Sequence, residues 1–453
     1  MIMHSDRYNF LSFIRYQDVV LWDIKRCVDN SIKSQYMMIE LSKLVIEEGD
    51  KYDISSPTQD YGILGVNNKN GIFDAYVENG ANIKQKYKRM ENGWIAYNPY
   101  RINVGSIGIK RPIHKHEYIS PAYVVFRCDS TLIPEFLYMI MRTEIFNSII
   151  RKKTTGSVRQ TLSFRTLTSL RIPCPTLSEQ DKILSKYNIK MVKAKEYEQD
   201  ALLIEMGIKD YFKEMLGLTI QKEKNEQGKK HSYLKFINFR NVSEWGINII
   251  QNKKEKEVFK YPTVKISNLC QLGSGGTPSR SCLQYYKGTI PWVKTGEVLN
   301  DEIVETEEHI SEDAISNSSA KLYPKGSLII AMYGQGDTRG RTAKLGIDAT
   351  TNQACAVLHD IDNSIVSTDY LWYYLQGRYD DLRSLASGNN QPNLNASKIN
   401  NYDVVVPPMD VQNEMVAHVK KQKALLKQLK KKAQDIRERA LKEFEKQIYN
   451  TDV

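Results

Sequence analysis

From Ser178 the sequence SEQDKILSKYNIKMVKAKEYEQDALLIEMGIKDYFKEML has no Pro, and no Gly until Gly207. Its apolar residues Ile183, Leu184, Tyr187, Met191, Ala194, Tyr197, Ala201, Ile204, Ile208, Phe212 and Met215 recur at intervals of three and four. That period predicts an α-helix with one narrow apolar seam facing a partner helix. Ser178, followed by a carboxylate and Gln just after Pro175, is the expected amino-terminal cap. A second stretch, from Asp410 to Tyr449, places Met415, Val419, Leu426, Leu429, Ala433, Ile436, Ala440, Phe444 and Ile448 in a similar stripe. Two such stripes in one chain pack most simply on each other as an antiparallel coiled coil. At about 1.5 Å per residue each helix would reach roughly 55 to 60 Å, long enough to be a spacer.

Elsewhere the pattern shortens to apolar runs between turn residues: YGILGV at Tyr61, WIAYNP at Trp94, YVVFR at Tyr123, LIIAMY at Leu328 and CAVL at Cys355. These are strand signals. Helical segments follow, PEFLYMIMRTEIFNSII from Pro134 and DYLWYYLQGRYDDLRSL from Asp369. The polar stretch TIQKEKNEQGKKHSYLKF from Thr219 reads as an exposed linker, with a boundary near residue 220.

The chain also contains itself twice. GSVRQTLSFRTLTSLRIPCPTLSEQ from Gly156 aligns without a gap on GNNQPNLNASKINNYDVVVPPMDVQ from Gly388, an offset of 232 residues. Leu162 falls on Leu394, Leu167 on Ile399, Ile172 on Val404, Pro175 on Pro407 and Gln180 on Gln412, while Val411 stands where the first copy has Glu179. Upstream, SPAYVVF at Ser120 meets NQACAVL at Asn352, IELSKL at Ile39 meets VKISNL at Val264, and Trp22 meets Trp245. Gly156 and Gly388 are expected to set a backbone turn. The order is globule, helix, globule, helix. The expected class is α+β: two mixed α/β globules separated by two long antiparallel helices, with an internal pseudo-twofold repeat.

Composition narrows the partners. A formal net charge of +11 fits a polyanionic ligand, because cations that neutralise phosphates release condensed counterions. No run of about 18 apolar residues suits a membrane span. The amino terminus MIMHSDRYNFLSFIRYQDVV lacks the uninterrupted apolar core of a secretory signal, so a cytoplasmic protein is expected. The 6 cysteines, Cys27, Cys128, Cys174, Cys270, Cys282 and Cys355, contain no C-x-x-C pair, which argues against a zinc site or a disulfide framework.

From about Trp22 to Tyr449 the sequence resembles the specificity subunits of type I restriction-modification systems. The resemblance rests on the form G-x-x-x-x-x-L-x-x-x-x-[LI], a Pro-containing turn and a Gln opening a long helix. It stands at Gly156, Leu162, Leu167, Pro175 and Gln180, and again at Gly388, Leu394, Ile399, Pro407 and Gln412. GSGGTPSR at Gly273, YYKGTIPWVKTGEV at Tyr285 and TTNQACAVL at Thr350 add to it, and the first half has no counterpart of GSGGTPSR. The resemblance implies a first target-recognition domain over 1–177, a central helix over 178–218, a linker over 219–244, a second target-recognition domain over 245–408 and a final helix over 409–453. It further implies double-stranded DNA as ligand, each domain reading half of a bipartite asymmetric site. Partners are two methyltransferase subunits, which methylate adenine N6 with S-adenosylmethionine, and restriction subunits, which use ATP and Mg; this chain would hold no cofactor and perform no catalysis.

Readers of base edges need Arg, Lys, Asn, Gln and hydroxyl side chains on loops. In the second globule the candidates are Thr277, Ser279 and Arg280, Lys294 and Thr295, Gln335, Arg339 and Arg341, and Asn390 and Gln391. Gly334, Gly336 and Gly340 are expected to let that backbone approach DNA. In the first globule they are Lys69, Asn70, Arg101, Asn103, Arg159 and Gln160. Lys420, Lys421, Lys423, Lys427, Lys430, Lys431 and Lys432 form either a solvated helix face or a phosphate-contacting one.

Enzyme signatures fail one by one. Asn98-Pro99-Tyr100 lacks a proline of the amino-methyltransferase loop, and no F-x-G-x-G cofactor loop is present. There is no G-x-x-x-x-G-K-[ST] phosphate loop. His114 and His116 have no metal-ligand set around them, and the Gly334, Gly336 and Gly340 spacing is wrong for a dinucleotide fingerprint. The other readings are a stand-alone DNA-binding regulator and a solitary specificity protein without an active nuclease.

Overall fold

WIAYNP, YVVFR, LIIAMY and CAVL are apolar at successive rather than alternate positions, which calls for strands covered on both faces. The structure is a computed structural model that describes residues 34–153, 161–221, 256–334, 336–385 and 394–449. In it Ile95–Tyr97 and Leu328–Ala331 are strands whose residues are all fully buried. The chain divides into two compact units: one takes residues up to Glu198 and from Lys430 onward, the other runs from Gln199 to Leu429.

In the first unit an antiparallel sheet has the order Val45–Glu47, Val124–Cys128, Ile95–Tyr97, Ile107–Ile109. A separate strand pair joins Met38–Glu40 to Arg171–Pro173, with Ile39 opposite Ile172. This unit has a further five-stranded sheet, in the order Lys51–Tyr52, Tyr87–Arg89, Tyr118–Ile119, Asp60–Asn67, Gly71–Asn79, where the second unit has a three-stranded one, Glu308–Ile310, Ile290–Val293, Thr350–Thr351. The helical segment from Pro134 is two helices, Pro134–Ile140 and Glu144–Lys153. Thr143 breaks it: its hydroxyl donates to the Ile140 carbonyl (2.6 Å) and accepts from the Phe146 N–H (3.3 Å), ending one helix and capping the next.

In the second unit the order is Gln271–Ser274, Cys355–His359, Leu328–Ala331, Thr342–Leu345, Glu302–Ile303, the last pairing parallel. The separate strand pair is Thr263–Lys265 with Asp403–Val405, Val264 opposite Val404. The sequence matches Ile39 to Val264 and Ile172 to Val404, so the two copies of the repeat make the same strand pair. The segment from Asp369 also divides, into Thr368–Gly377, capped by the Ser367 hydroxyl, and Tyr379–Ser384. Thr219–Gln221, expected to open an exposed linker, is instead a strand paired with Lys256–Val258. Trp22, Trp245, Cys27, Gly156 and Gly388 lie outside the described residues.

The long helices run over Leu177–Met215 and Met409–Ile448. Every residue of both expected stripes is buried or half-buried. The cap of the first is Thr176 rather than Ser178: the Thr176 hydroxyl accepts from the Glu179 N–H (3.4 Å), and the Glu179 carboxylate accepts from the Thr176 N–H (2.9 Å). That is a reciprocal capping box, which holds Glu179 below the usual carboxylate range through the Thr176 hydrogen bonds. Within the first unit the helices run antiparallel, Tyr187 meeting Phe444 (6.1 Å between centroids) and Glu198 pairing with Arg437 (2.8 Å). Within the second, Tyr211 stacks on His418 at 4.0 Å.

Each unit centres on its own core. The first includes Phe126, Phe136, Phe146, Ile183, Leu184, Phe444 and Ile448, and the second includes Leu328, Tyr370, Phe212, Met415 and Val419. Burial pushes the Cys128, Cys270 and Cys355 thiols up to about 12, so they behave as inert apolar groups. Among the described residues no cluster suits a metal and no helix is long and apolar enough to cross a membrane.

Two predictions concern these cores. Phe444 is 1% exposed and its ring lies 5.7 Å from Phe136. Phe444→Ala should cost about 3–5 kcal/mol in urea unfolding of the first unit; a loss under about 1 kcal/mol would show that the helix end is not part of that core. Asp369 accepts hydrogen bonds from Lys344 (2.9 Å) and Lys420 (2.6 Å). Burial alone would raise its pKa, but the two ammonium groups outweigh it and leave it below the ordinary 3.8. A depressed carboxylate stabilises fully above its unfolded value and loses that contribution as pH falls through the lower folded value. Asp369→Asn should therefore lower the unfolding midpoint at neutral pH and converge on the native chain in acid below 3.8; a pH-independent difference would contradict it.

Candidate nucleic-acid interface

Strand direction decides where the candidate residues go. In the second unit Ser274 pairs with Ala356, Ala331 with Cys355 and Ile330 with Thr342, so the segments after Ser274, after Ala331 and before Cys355 leave one end of the sheet. Asn352 joins a fourth segment to that end, donating its N–H to the Val293 carbonyl (3.0 Å) while its side chain accepts from the Thr295 hydroxyl (3.1 Å). Thr277, Ser279, Arg280, Lys294, Thr295, Arg339 and Arg341 are thus borne on segments from the same sheet end. The first unit repeats this: Tyr97 pairs with Ile107 and with Val124, and the turn carrying Arg101 and Asn103 follows Tyr97.

Two turns of the first unit come together. The Asn67 side chain accepts from the Lys69 N–H (3.0 Å) and the Asn70 N–H (2.6 Å), shaping the hairpin tip. A Cβ at Gly105 would lie 3.9 Å from that of Asn68, so the exposed Lys69, Asn70 and Arg101 and the half-buried Asn103 sit on neighbouring turns. The Pro99 carbonyl accepts from the Leu162 N–H (3.0 Å), just as the Met332 carbonyl accepts from Leu394 (3.2 Å). Arg159, Gln160, Gln335, Asn390 and Gln391 lie outside the described residues. Asn98 is a turn former, its side chain accepting from the Tyr100 N–H (3.0 Å), and His116 Nδ1 lies 3.0 Å from the Ile63 carbonyl.

Arg280 and Lys294 are less free than loop cations usually are. Arg280 stacks over Tyr286 (4.1 Å) and Trp292 (5.1 Å) and donates to Glu308 (2.7 Å). Lys294 donates to Glu307 (2.6 Å) and to Glu308 (3.2 Å). Hydrogen bonding from Arg280 is the main reason the Glu308 carboxyl lies below its usual range, and the same bond raises Arg280. Glu307 and then Glu308 raise Lys294. The run ETEEHI from Glu305, directly downstream of Lys294 in a basic protein, was the available signal for these acidic partners. Thr277 and Ser279 are exposed on the same loop. Gly276 is dictated by packing, because a Cβ there would fall 2.2 Å from the Ala320 nitrogen.

The loop after Ala331 is anchored by residues the sequence did not single out. Arg383 donates to the Gly336 carbonyl (2.7 Å) and the Tyr379 hydroxyl to the Asp337 carbonyl (2.7 Å). Gly340 has φ +85°, left-handed backbone that a side chain would strain. Arg339 is half-buried, and Arg341 reaches Asp337 at 3.9 Å. Of the basic face on the last helix, Lys423 lies over Trp372 (5.3 Å) and Tyr373 (5.0 Å), and Lys420 pairs with Asp369, while Lys421, Lys427, Lys430, Lys431 and Lys432 are exposed.

Comparison with known proteins bears on the second unit first. Residues 258–436 match the family described as Type I restriction modification DNA specificity domain. The Type I restriction enzyme MjaIX specificity subunit of Methanocaldococcus jannaschii is 24% identical over 195 residues, covering 39% of this chain and 44% of that protein. The Type I restriction enzyme EcoR124I/EcoR124II specificity subunit of Escherichia coli is 26% identical over 165 residues, covering 35% of this chain and 40% of that protein. The chain therefore spans less than half the length of either curated relative. A chain of the type I R-M system, solved to explain complex assembly and conformational transition, shares the fold with TM-score 0.52 at 14% identity, over 92% of this chain and 99% of that one.

Glu308 yields the prediction at this surface. Exposed ion pairs contribute at most about 1 kcal/mol to folding, so Glu308→Gln should leave the thermal midpoint nearly unchanged. It removes the carboxylate paired with Arg280 and one of the two paired with Lys294, which keeps Glu307, and binding to a generic DNA duplex should tighten at low salt, with a steeper salt dependence by fluorescence anisotropy. Unchanged affinity and slope would remove Arg280 from the interface.

Proposed function

We infer that this chain, whose residues 258–436 carry the type I DNA specificity domain, is the DNA-recognition subunit of a type I restriction-modification complex. The observation that carries the reading is the repeated sheet end: in both units the segment after a central strand, Ile95–Tyr97 or Leu328–Ala331, accepts a hydrogen bond from the N–H of the repeat's Leu, Leu162 or Leu394. Two readers built alike but armed with different side chains suit a bipartite, asymmetric target, which a symmetric dimer would not read.

In this reading each globule reads one half-site by side chains at its sheet end, and the paired long helices form a coiled coil that sets the spacer. The same helices dock two methyltransferase subunits, which bind S-adenosylmethionine and methylate adenine N6. Restriction subunits add ATP- and Mg-dependent cleavage, and this chain contributes recognition alone, in the cytoplasm. Exposed Ile189 (71%), Val192 (59%) and Leu203 (65%) along the first long helix favour a partner-bound subunit over a stand-alone regulator.

The test is single-molecule mapping of N6-methyladenine in DNA from cells expressing this chain with its methyltransferase, against cells lacking it. A new bipartite motif with a fixed spacer is expected, and inserting one helical turn into both long helices should change the spacer and neither half-site. Absence of new methylation from a stable complex would favour the solitary or regulatory reading.

A further inference from the structure

We propose that Gln180 and Gln412 are the positioning residues that fix the direction in which each long helix leaves its own globule, and through it the spacing of the two half-sites. The inference rests on the recognition role proposed above.

Both side chains are fully buried. The Gln180 carbonyl oxygen accepts from the Ile133 N–H (2.8 Å), and its amide donates to the Thr131 carbonyl (3.0 Å) and the Pro175 carbonyl (2.9 Å). The Gln412 carbonyl oxygen accepts from the Ser367 N–H (2.8 Å), and its amide donates to the Ile365 carbonyl (3.0 Å) and the Pro407 carbonyl (2.8 Å). Three bonds of the same kind, to backbone at equivalent places, recur in both units.

The chemistry explains the residue type. The junction offers one N–H and two carbonyls, and only a carboxamide on a two-carbon stem accepts one bond and donates two at that reach. The two loops it grips lead directly into Pro134–Ile140 and Thr368–Gly377. Each glutamine therefore ties the first turn of a long helix to the start of a globule helix. Apolar neighbours such as Ile183 and Leu184 bury area but tolerate sliding, whereas three hydrogen bonds to backbone fix an angle. An apolar side chain of equal volume would fill the same space but leave that buried N–H and the two carbonyls without partners.

The test uses the full chain with its methyltransferase partner. Gln→Met at either position keeps the volume and loses all three bonds; Gln→Glu, which keeps an acceptor, is the second variant should the first fold poorly. Mapping of N6-methyladenine should find both half-site sequences retained, with spacers one base pair longer or shorter methylated at least several-fold above the native chain. Hydrogen exchange should accelerate at the Ile133 amide in the Gln180 variants and at Ser367 in the Gln412 variants. A lowered thermal midpoint with unchanged spacer length overturns the proposal. No bipartite motif with the native chain would instead refute the recognition role, while the exchange data would still report on the lock.

Discussion

An apolar stripe one helix-face wide cannot stay exposed to water, and each long helix carries one along 39 or 40 residues. Burying it governs how the chain is divided. Each unit is built around segments of both helices, so that the first unit closes with residues from Lys430 onward and the second with Met415 and Val419. The globules attach to these helices through the buried amides of Gln180 and Gln412, and the loops at the sheet ends are placed in turn by the sheets that rest on them. Recognition chemistry stands at the end of this sequence of constraints.

The helices, the repeat and the central strands were legible because each leaves a periodic or repeated mark. The stripe from Ile183 to Met215 and the runs at Trp94, Tyr123, Leu328 and Cys355 are decided by burial, which sequence encodes directly. Features set by single hydrogen bonds were harder to see. Thr176 rather than Ser178 caps the helix because its hydroxyl and the Glu179 carboxylate satisfy one another, and Thr143 and Arg378 interrupt segments whose apolar content looks continuous. The five-stranded sheet of the first unit had a single clear signal, at Tyr61, because its remaining strands are short or face solvent.

At the candidate interface, sequence pointed to loops and residue types, and the sheet topology brought them to common ends. It could not show which cations are already paired. Between Ile290 and Ile315 the chain has eight carboxylates and one lysine, within a protein of net charge +11. Attraction to DNA is therefore uneven across the second unit, and Arg280 and Lys294 stand at the border between the acidic stretch and the basic remainder. Carboxylates beside these candidate cations would raise the cost of non-specific contact with phosphate, since a duplex must compete with them for the same donors.

The division of the chain also bears on its synthesis. Gln199 to Leu429 leave the ribosome before the segment that completes the first unit. Until that segment emerges, Phe136, Ile183 and Leu184 lack the Phe444 and Ile448 side chains that share their core. The second unit, contiguous in sequence, can close first even though it is translated later. A nascent chain thus holds an apolar surface open through most of elongation, and a chain cut short before Lys430 would keep it open, a ready substrate for chaperones and proteases.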